Sequence, residues 1–398
     1  MENAPRLYDA VFSMLGQHRH WRDVRHLKTL CWMVVGLILS SQINLTDWLD
    51  YTRSRAMFAQ SIQRRFSRWL NNTRIQERKL YAPLIRQALS KWKATRLVLA
   101  LDTSLLWNRY CLIRVSLIYR GRAIPVMWKV IPHKSSSVAH SSYSKLLYAV
   151  ATVLPQGVEV LFLADRGFAD IALLKQLRRL KWHYRIRIKS SFYLYLGKRG
   201  RAISSYQLRP GEALFFHAVA LTRERYGKVD VALGIDRKSR ERWIIVSDQP
   251  SSAETFREYS WRFDIEEGFL DDKSNGFQLE SSRIRSAQML SRLCLVLAIT
   301  TLYLSASGTD VAEYGERRWI DPHWFRGSSY LKIGWRWIRQ CLVHGFYLPT
   351  DLRLSDTPDP QPAIASRRQA QHRHRAFQFH PPSSDPFSRS NPQSRKVV

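Results

Sequence analysis

Hydrophobic positions divide the chain into a helical beginning, a middle part rich in short strands and a second helical part. Over residues 1–92 the apolar residues recur at helical spacing, as in 64–70 and 78–89, without the alternation of strands. From residue 97 onward, short runs rich in Val, Ile and Leu take over. The pattern predicts strands over 97–102, 111–119, 123–131 and 158–164, and helices over 141–153 and 169–181.

Further along, strands return and are followed by helices. Strands are predicted over 184–189, 213–221, 229–235 and 243–246, and helices over 254–273 and 280–306. Residues 351–398 are rich in Pro, Ser and basic side chains, a composition typical of a disordered tail. We therefore expect a helical N-terminal region (1–94), a first core part (95–183), a β-rich insertion (184–250), a second core part with C-terminal helices (251–350) and the tail.

Three meandering strands, a helix and a fourth buried strand match the start of a ribonuclease-H-like fold. The predicted fold class is α/β, with a mixed-sheet catalytic core interrupted by the insertion and flanked by helical regions. In such a sheet, acids at the ends of the first and fourth strands lie side by side, and here these are Asp102 and Asp165. Either acid alone could simply cap a turn, but both together favour a site. Gly167 would allow a tight turn after Asp165.

The net charge points to a polyanionic partner. The 398 residues carry 63 Lys and Arg against 32 Asp and Glu, which gives +31. This favours nucleic acid, with an anionic membrane surface second. The apolar runs 29–39 and 293–306 are shorter than the roughly 20 residues of a membrane span, so we expect buried helices and no membrane. Four separated cysteines without a CxxC pair argue against a zinc finger or disulfide framework and for a reducing compartment.

Acidic residues are concentrated in one segment of this basic chain. Residues 171–211 contain eleven Lys and Arg and no acid, whereas residues 241–280 contain ten acids and four basic residues. Such a concentration of carboxylates suggests metal coordination.

A candidate third acid lies on a mixed-charge stripe. Tyr259, Arg262, Glu266 and Lys273 stand at offsets of 0, 3, 7 and 14, which places them within about 60° on one helix face. A solvated charged face is the usual explanation of such a stripe. The alternative is a site in which the carboxylate binds metal and the cations bind DNA phosphates.

These residues resemble a known family. The four-residue stripe is similar to the Tyr-x2-Arg-x3-Glu-x6-Lys signature of DDE transposases of the insertion-sequence-four family. Leu101-Asp102-Thr103 and the segment from Ala164 to Phe168 look like that family's first and second Asp motifs. The resemblance covers roughly residues 95–290 and implies an Asp102, Asp165 and Glu266 triad.

The resemblance also implies DNA contacts. Tyr259, Arg262 and Lys273 would grip terminal phosphates. Arg187 and Lys189 belong to the basic run that extends into the insertion, and this positive charge makes them further candidates for DNA binding. Trp243 resembles a tryptophan that relatives insert into DNA to hold a flipped base, although a strand Trp is more often a core residue. Some relatives carry an aromatic residue after the signature Arg, which is Phe263 here.

Carboxylates without His or Cys suit Mg²⁺, with Mn²⁺ as a substitute. Two ions about 4 Å apart can activate an attacking oxygen and stabilise a leaving one. In this arrangement Asp102 would bridge both ions, while Asp165 and Glu266 would each complete one side.

The expected function is cut-and-paste transposition: metal-dependent cleavage at the element's ends, then attack of the freed 3′-OH on target DNA. The resemblance implies that the excised end passes through a hairpin. Partners would be double-stranded DNA, namely terminal inverted repeats and target, bound by a dimer in the cytoplasm of a prokaryotic cell, at the nucleoid. Two alternatives stay open: a nuclease of the same fold that does not join DNA, and an inactive DNA-binding protein derived from a transposase.

Overall fold

Among the residues that the structure describes, ten strands form one mixed sheet at the centre of the protein, and helices cover it. The computed structural model describes residues 3–18, 21, 23–93, 95–270, 277–364 and 379–383. The strands are β1 (Arg96–Leu106), β2 (Tyr110–Tyr119), β3 (Arg122–Pro132), β4 (Glu159–Ala164), β5 (His183–Arg187), β6 (Tyr193–Leu196), β7 (Arg199–Ala202), β8 (Ala213–Leu221), β9 (Tyr226–Ile235) and β10 (Arg242–Ser247). The helices are α1 (Ala4–Gly16), α2 (Val24–Ser40), α3 (Ala59–Asn71), α4 (Glu77–Leu89), α5 (His140–Ala151), α6 (Ile171–Arg179), α7 (Ala253–Ser260), α8 (Phe263–Leu270), α9 (Ala287–Glu313), α10 (Arg317–Ile320) and α11 (Tyr330–His344).

The first five strands have the topology of a ribonuclease-H-like core. Their order is β3-β2-β1-β4-β5. Strand β2 runs antiparallel to both β1 and β3, whereas β4 runs parallel to β1 and β5. The predicted α/β fold class is confirmed.

The insertion continues the core sheet. Beyond β5 the order is β10-β9-β8-β6-β7. All but the first residue of strand β5 fall within the range predicted for the insertion, but this strand pairs in parallel with β4 and is the fifth core strand. The β6–β7 hairpin was not predicted, because β7 is exposed at the sheet edge and its Arg-Gly-Arg-Ala sequence has no apolar alternation.

Helix α9 is the centre of a helical layer that the N-terminal helices share with the C-terminal ones. Helices α2, α3, α4 and α11 all contact it. A Cβ on Gly308 of α9 would lie only 1.9 Å from the carbonyl oxygen of Tyr330, so α11 packs backbone to backbone here. The indole of Trp335 on α11 donates to the carbonyl of Ile38 on α2 at 2.8 Å. Helix α9 is long and apolar enough to cross a membrane, but most of it is buried inside the protein. It begins and ends seven residues later than predicted.

The tail prediction is wrong for residues 351–364. Leu352 and Leu354 are buried, and the Leu354 amide donates to the carbonyl of Ala88 at 2.8 Å. Residues 379–383 also pack, with Phe379 against Phe256 at 4.6 Å between ring centres. The few apolar residues of this Pro-rich stretch fill gaps in the helical layer and the sheet. The other tail residues lie outside the described part of the chain.

The helix predicted over 254–273 is interrupted. Helix α7 ends at Ser260 and α8 begins at Phe263. The amides of residues 261, 262, 264 and 265 each donate to the carbonyl of the third residue back. Such bonds tighten the turn as in a 3₁₀ helix. The angle of about 100° per residue of a single α-helix therefore does not relate the residues of α7 to those of α8. Lys273 lies outside the described residues.

Candidate active site

Strand register places Asp102 and Asp165 beside each other. Leu101 of β1 pairs with Ala164 of the parallel strand β4, and each Asp is the next residue. Asp102 does not end its strand as predicted, because β2 continues to pair with β1 as far as Leu106. Only β4 ends here, so Asp165 begins a turn while Asp102 lies inside an extended strand.

The turn after Asp165 does not depend on glycine. Arg166, Gly167 and Phe168 form a single 3₁₀ turn. Gly167 does not have a positive φ, and an added Cβ would meet nothing within 4 Å. The role expected for Gly167 is therefore wrong.

Arg262 connects the first and third acids. Its Nη1 donates to Asp102 Oδ2 at 3.0 Å, and its Nη2 donates to Glu266 Oε1 at 2.6 Å. The guanidinium is buried, whereas Glu266 is half-exposed at the start of α8. Tyr259, at the end of α7, donates its hydroxyl to Asp165 Oδ1 at 3.3 Å. The structure thus brings together all of the triad and two of the three signature residues beside it.

The electrostatics of the site show how closely these groups are coupled. Burial raises the pKa of Asp102 to about 6; Arg262 opposes this shift, and Glu266 and Asp165 add to it. Burial alone would lower the pKa of Arg262, but Tyr259, Asp102 and Glu266 outweigh it and raise the pKa. Burial raises the pKa of the Tyr259 phenol, so Tyr259 is a hydrogen-bond donor at neutral pH.

The donor set is suited to a hard divalent cation. Asp102, Asp165 and Glu266 offer only carboxylate oxygens, the ligands that Mg²⁺ and Mn²⁺ prefer. The positive guanidinium of Arg262 between two of them shows that the site accommodates a cation. In the described part of the chain, no three His, Cys, Asp or Glu side chains are gathered closely enough to hold a metal ion. The carboxylates fit the metal chemically but are held around Arg262 in this conformation.

Trp243 lies in the core of the aromatic cluster beside the site. Only 6% of the residue is exposed, its Nε1 donates to Glu241, and its ring lies 5.5 Å from that of Tyr259. The indole therefore presents no free face to a DNA base here, in contrast to the expected insertion. Phe263 is in the same cluster but is 36% exposed, with Arg262 5.0 Å from its ring centre.

A basic cavity of about 400 Å³ opens next to the acids. Arg187 and Lys189, both predicted to bind DNA, line it together with Arg166 and Arg242. Arg187 forms an ion pair with Glu241, with 2.6 Å between Nη2 and Oε1, whereas Lys189 is exposed. The signal for Arg166 and Arg242 was present in the sequence, because each adjoins a residue already singled out.

A buried ion network that the sequence does not predict surrounds Glu258, the residue before Tyr259. Glu258 accepts from Arg96 of β1 at 2.6 Å and from Arg185 of β5 at 2.7 Å. Arg185 was counted with the basic run, but it is buried and paired with Glu258. The network fixes the last turn of α7 to the two strands that flank β4.

Arg114 packs against α8, the helix that carries the third acid. Its guanidinium stacks 4.0 Å from the ring centre of Phe269 on α8, and it is buried on β2 directly opposite Asp102. A Cβ on Gly268 would lie 3.1 Å from Arg114 Nη2. Glycine at this position therefore lets α8 approach the sheet closely enough for Glu266 to reach the site.

A family model matches the part of the chain that contains most of this site. Residues 108–303, just under half of the chain, match the family model described as a transposase DDE domain. The range contains Asp165, Tyr259 and Glu266, and it begins six residues after Asp102. The match supports a DDE-type transposase.

The structural comparison gives a more distant likeness. The cryo-EM structure of a piggyBac transposase synaptic complex with hairpin DNA is 12% identical, and the match covers 98% of this chain and 85% of that chain with a TM-score of 0.44. No curated protein sequence matches the chain.

Proposed function

We propose that the protein is a cut-and-paste DNA transposase of the insertion-sequence-four family that cleaves the ends of its element and joins the freed 3′-OH to target DNA. The observation that carries the proposal is the convergence of Asp102, Asp165 and Glu266 from β1, β4 and α8, with Tyr259 and Arg262 among them. A nuclease that does not join DNA and an inactive DNA-binding derivative are the alternatives.

Each residue of the site has a distinct task in this proposal. Asp102, Asp165 and Glu266 would hold two Mg²⁺ ions, or Mn²⁺ in their place. When bound, these ions supply the charge that activates the attacking oxygen and stabilises the leaving one. Tyr259 and Arg262, with Lys273, would orient the terminal phosphate by hydrogen bonding.

DNA enters the proposal through the basic cavity. Arg166, Arg187, Lys189 and Arg242 lie on the Asp165 side of the site and offer donors to a phosphodiester backbone. Phe263 is the exposed ring that would stack on an unpaired base, in place of the buried Trp243. The hairpin intermediate, the prokaryotic cytoplasmic location and a dimer on paired ends belong to the same proposal.

Residues 1–94 would bind the DNA flanking the cleavage point. A groove of about 1190 Å³ runs between the start of α2 and the first turns of α4. Its exposed cations are Arg74, Arg78, Lys79 and Arg86. Its one carboxylate, Asp23, is already paired with Arg25 at 2.9 Å, so the groove as a whole would attract a polyanion.

The test is an assay on linear DNA that carries this gene with its native flanking sequences. Asp102→Asn, Asp165→Asn and Glu266→Gln should each abolish Mg²⁺-dependent end cleavage, with Glu254→Gln as the control on α7. Wild-type cleavage by all three variants would refute the assignment. A nuclease would release cut ends and yield no product joined to a target plasmid, and an inactive derivative would bind the DNA without cutting it.

A further inference from the structure

Arg262 takes up lone pairs of two carboxylates that the proposed metal ions would need. One arm of its guanidinium contacts Asp102 and the other contacts Glu266, with 3.0 Å and 2.6 Å between the paired nitrogens and oxygens. The third nitrogen, Nε, is buried and has no hydrogen-bond partner among the described residues. The two hydrogen bonds to carboxylates are thus both made to proposed metal ligands, and the hydroxyl of Tyr259 is the other polar neighbour of this guanidinium.

Of the two ion pairs that Arg262 makes, the one with Glu266 is the more accessible to solvent. The Asp102 side chain is mostly buried, whereas half of the Glu266 side chain is exposed to solvent. The rings of Tyr259 and Phe263 lie 5.9 Å and 5.0 Å from the guanidinium carbon and form an aromatic wall along it. A cation arriving from solvent therefore meets Glu266 before Asp102.

Charge balance requires that metal and guanidinium compete. Three carboxylates and one guanidinium leave a local charge of −2, which attracts a divalent cation. A cation bound to Asp102 and Glu266 would lie next to the positive guanidinium in a buried place, where repulsion between like charges is strong.

We infer that Arg262 is an exchangeable counter-ion of the active site. In the metal-free protein it holds Asp102 and Glu266 together, and a divalent cation displaces it. The freed guanidinium then becomes available to a DNA phosphate. This inference rests on the proposed function, because it takes the three acids as metal ligands.

Linkage gives the inference a second consequence. If metal binding frees a phosphate-binding group, then metal must tighten DNA binding, and DNA must tighten metal binding by the same factor. An arginine that only held the acids in position would give the opposite result on removal, because the ligands would lose their alignment and bind metal more weakly.

The experiment measures metal binding without catalysis. Mn²⁺ affinity is determined by calorimetry, in the absence of DNA, for the wild type, Arg262→Gln and Arg262→Lys. Arg257→Gln is the matched control, since Arg257 is on α7 and pairs with Glu254 at the surface. We expect Arg262→Gln to bind Mn²⁺ about tenfold more tightly than the wild type, because metal no longer displaces charge-assisted hydrogen bonds. Arg262→Lys should fall between the two, since an ammonium keeps the charge and loses the two-armed geometry. The control should match the wild type.

Stability and DNA binding complete the test. Thermal unfolding with and without Mn²⁺ should show a larger metal-induced rise in Tm for Arg262→Gln, which also verifies that this variant folds. Ca²⁺ should tighten binding of the flanking DNA by the wild type more than by Arg262→Gln.

Two outcomes separate the inference from the proposed function. Equal or weaker Mn²⁺ binding by Arg262→Gln, with Asp102→Asn still abolishing it, would overturn the counter-ion role and leave the metal site standing. Failure of the wild type to bind Mn²⁺ at all, with or without DNA, would overturn both.

Discussion

Arg185 and Glu258 form a buried ion pair, 2.6 Å between nitrogen and oxygen, that fastens the helix carrying Tyr259 to strand β5. Both side chains are 5% exposed, and Glu258 also binds Arg96. A buried pair of this kind contributes little net stability compared with apolar packing, but removing one partner leaves the other charge uncompensated.

Glu258→Ala should therefore destabilise the protein by about 3–5 kcal/mol, because Arg185 would stay buried without its carboxylate. Urea unfolding measures this free energy. Glu254→Ala is the control on the same helix: its partner Arg257 is on the surface, so a loss of about 1 kcal/mol or less is expected. Equal effects of the two variants would contradict the structural role of the Glu258 network.

The glycine contact between α9 and α11 gives a second stability prediction. Gly308→Ala would place a Cβ 1.9 Å from the Tyr330 carbonyl, and Gly334→Ala would place one 1.8 Å from that of Leu304. Alanine favours helix by about 1 kcal/mol. Forcing the two backbones apart should outweigh this gain and give a net loss of about 1–3 kcal/mol.

Gly167→Ala is the matched comparison for this interface. Its Cβ would meet no atom within 4 Å, so the unfolding free energy should stay within about 0.5 kcal/mol of the wild type. The glycine-contact prediction fails if Gly308→Ala and Gly334→Ala unfold at the same urea concentration as Gly167→Ala.

The pKa of Asp102 predicts how stability changes with pH in the absence of metal. The fold raises this pKa from 3.8 to about 6, chiefly by burial. Between about pH 4 and pH 6 the folded protein retains a proton that the unfolded chain has released, so stability falls as pH rises through this window, by up to about 3 kcal/mol. Asp102→Asn cannot titrate and should lose this part of the slope.

The measurement is urea unfolding in a chelator-containing buffer from pH 4 to pH 7. Asp50→Asn, at an exposed position, serves as the control and should keep the wild-type profile. An unchanged slope in Asp102→Asn would show that burial of this carboxyl does not control the pH dependence.

Local sequence patterns predicted the core strands and the two aspartates, because apolar runs and their turns depend on neighbouring residues. The pairing that sets Asp102 beside Asp165 was expected from the order of the elements. The Glu258 network was beyond reach, since Arg96, Arg185 and Glu258 are brought together by three separate elements. The break between α7 and α8 was missed because residues 261 and 262 carry neither Gly nor Pro. The placement of Glu266 on one helix face with Tyr259 and Arg262 therefore depended on a continuous helix that the chain does not form.

Lys189 should contribute to DNA binding through charge alone. It is exposed at the mouth of the basic cavity, and Lys189→Ala should weaken binding of every DNA sequence to a similar extent. The slope of log affinity against log salt should decrease by about 1, the value for one phosphate contact. Fluorescence anisotropy over a salt series measures it. Lys181→Ala, an exposed lysine after α6, is the comparison variant, and an identical slope in Lys189→Ala and the wild type would exclude the phosphate contact.

Substitutions of Trp243 and Phe263, the two aromatic residues next to Tyr259, should have different effects. The first should lower stability, and the second should weaken DNA binding. Trp243 is buried against Tyr259 and Phe256, so Trp243→Ala should cost about 3–5 kcal/mol of stability. Phe263 is partly exposed, so Phe263→Ala should cost much less stability and should weaken binding of DNA that contains an unpaired base, by about 1–3 kcal/mol. Phe263→Trp should restore that binding, because an indole offers at least as large a stacking face. Thermal unfolding and anisotropy with matched and mismatched duplexes measure the two effects. The opposite result would be that Trp243→Phe keeps full stability and loses only the preference for DNA with an unpaired base. In that case Trp243 leaves its packed position to stack on DNA, and Phe263 is not the stacking residue.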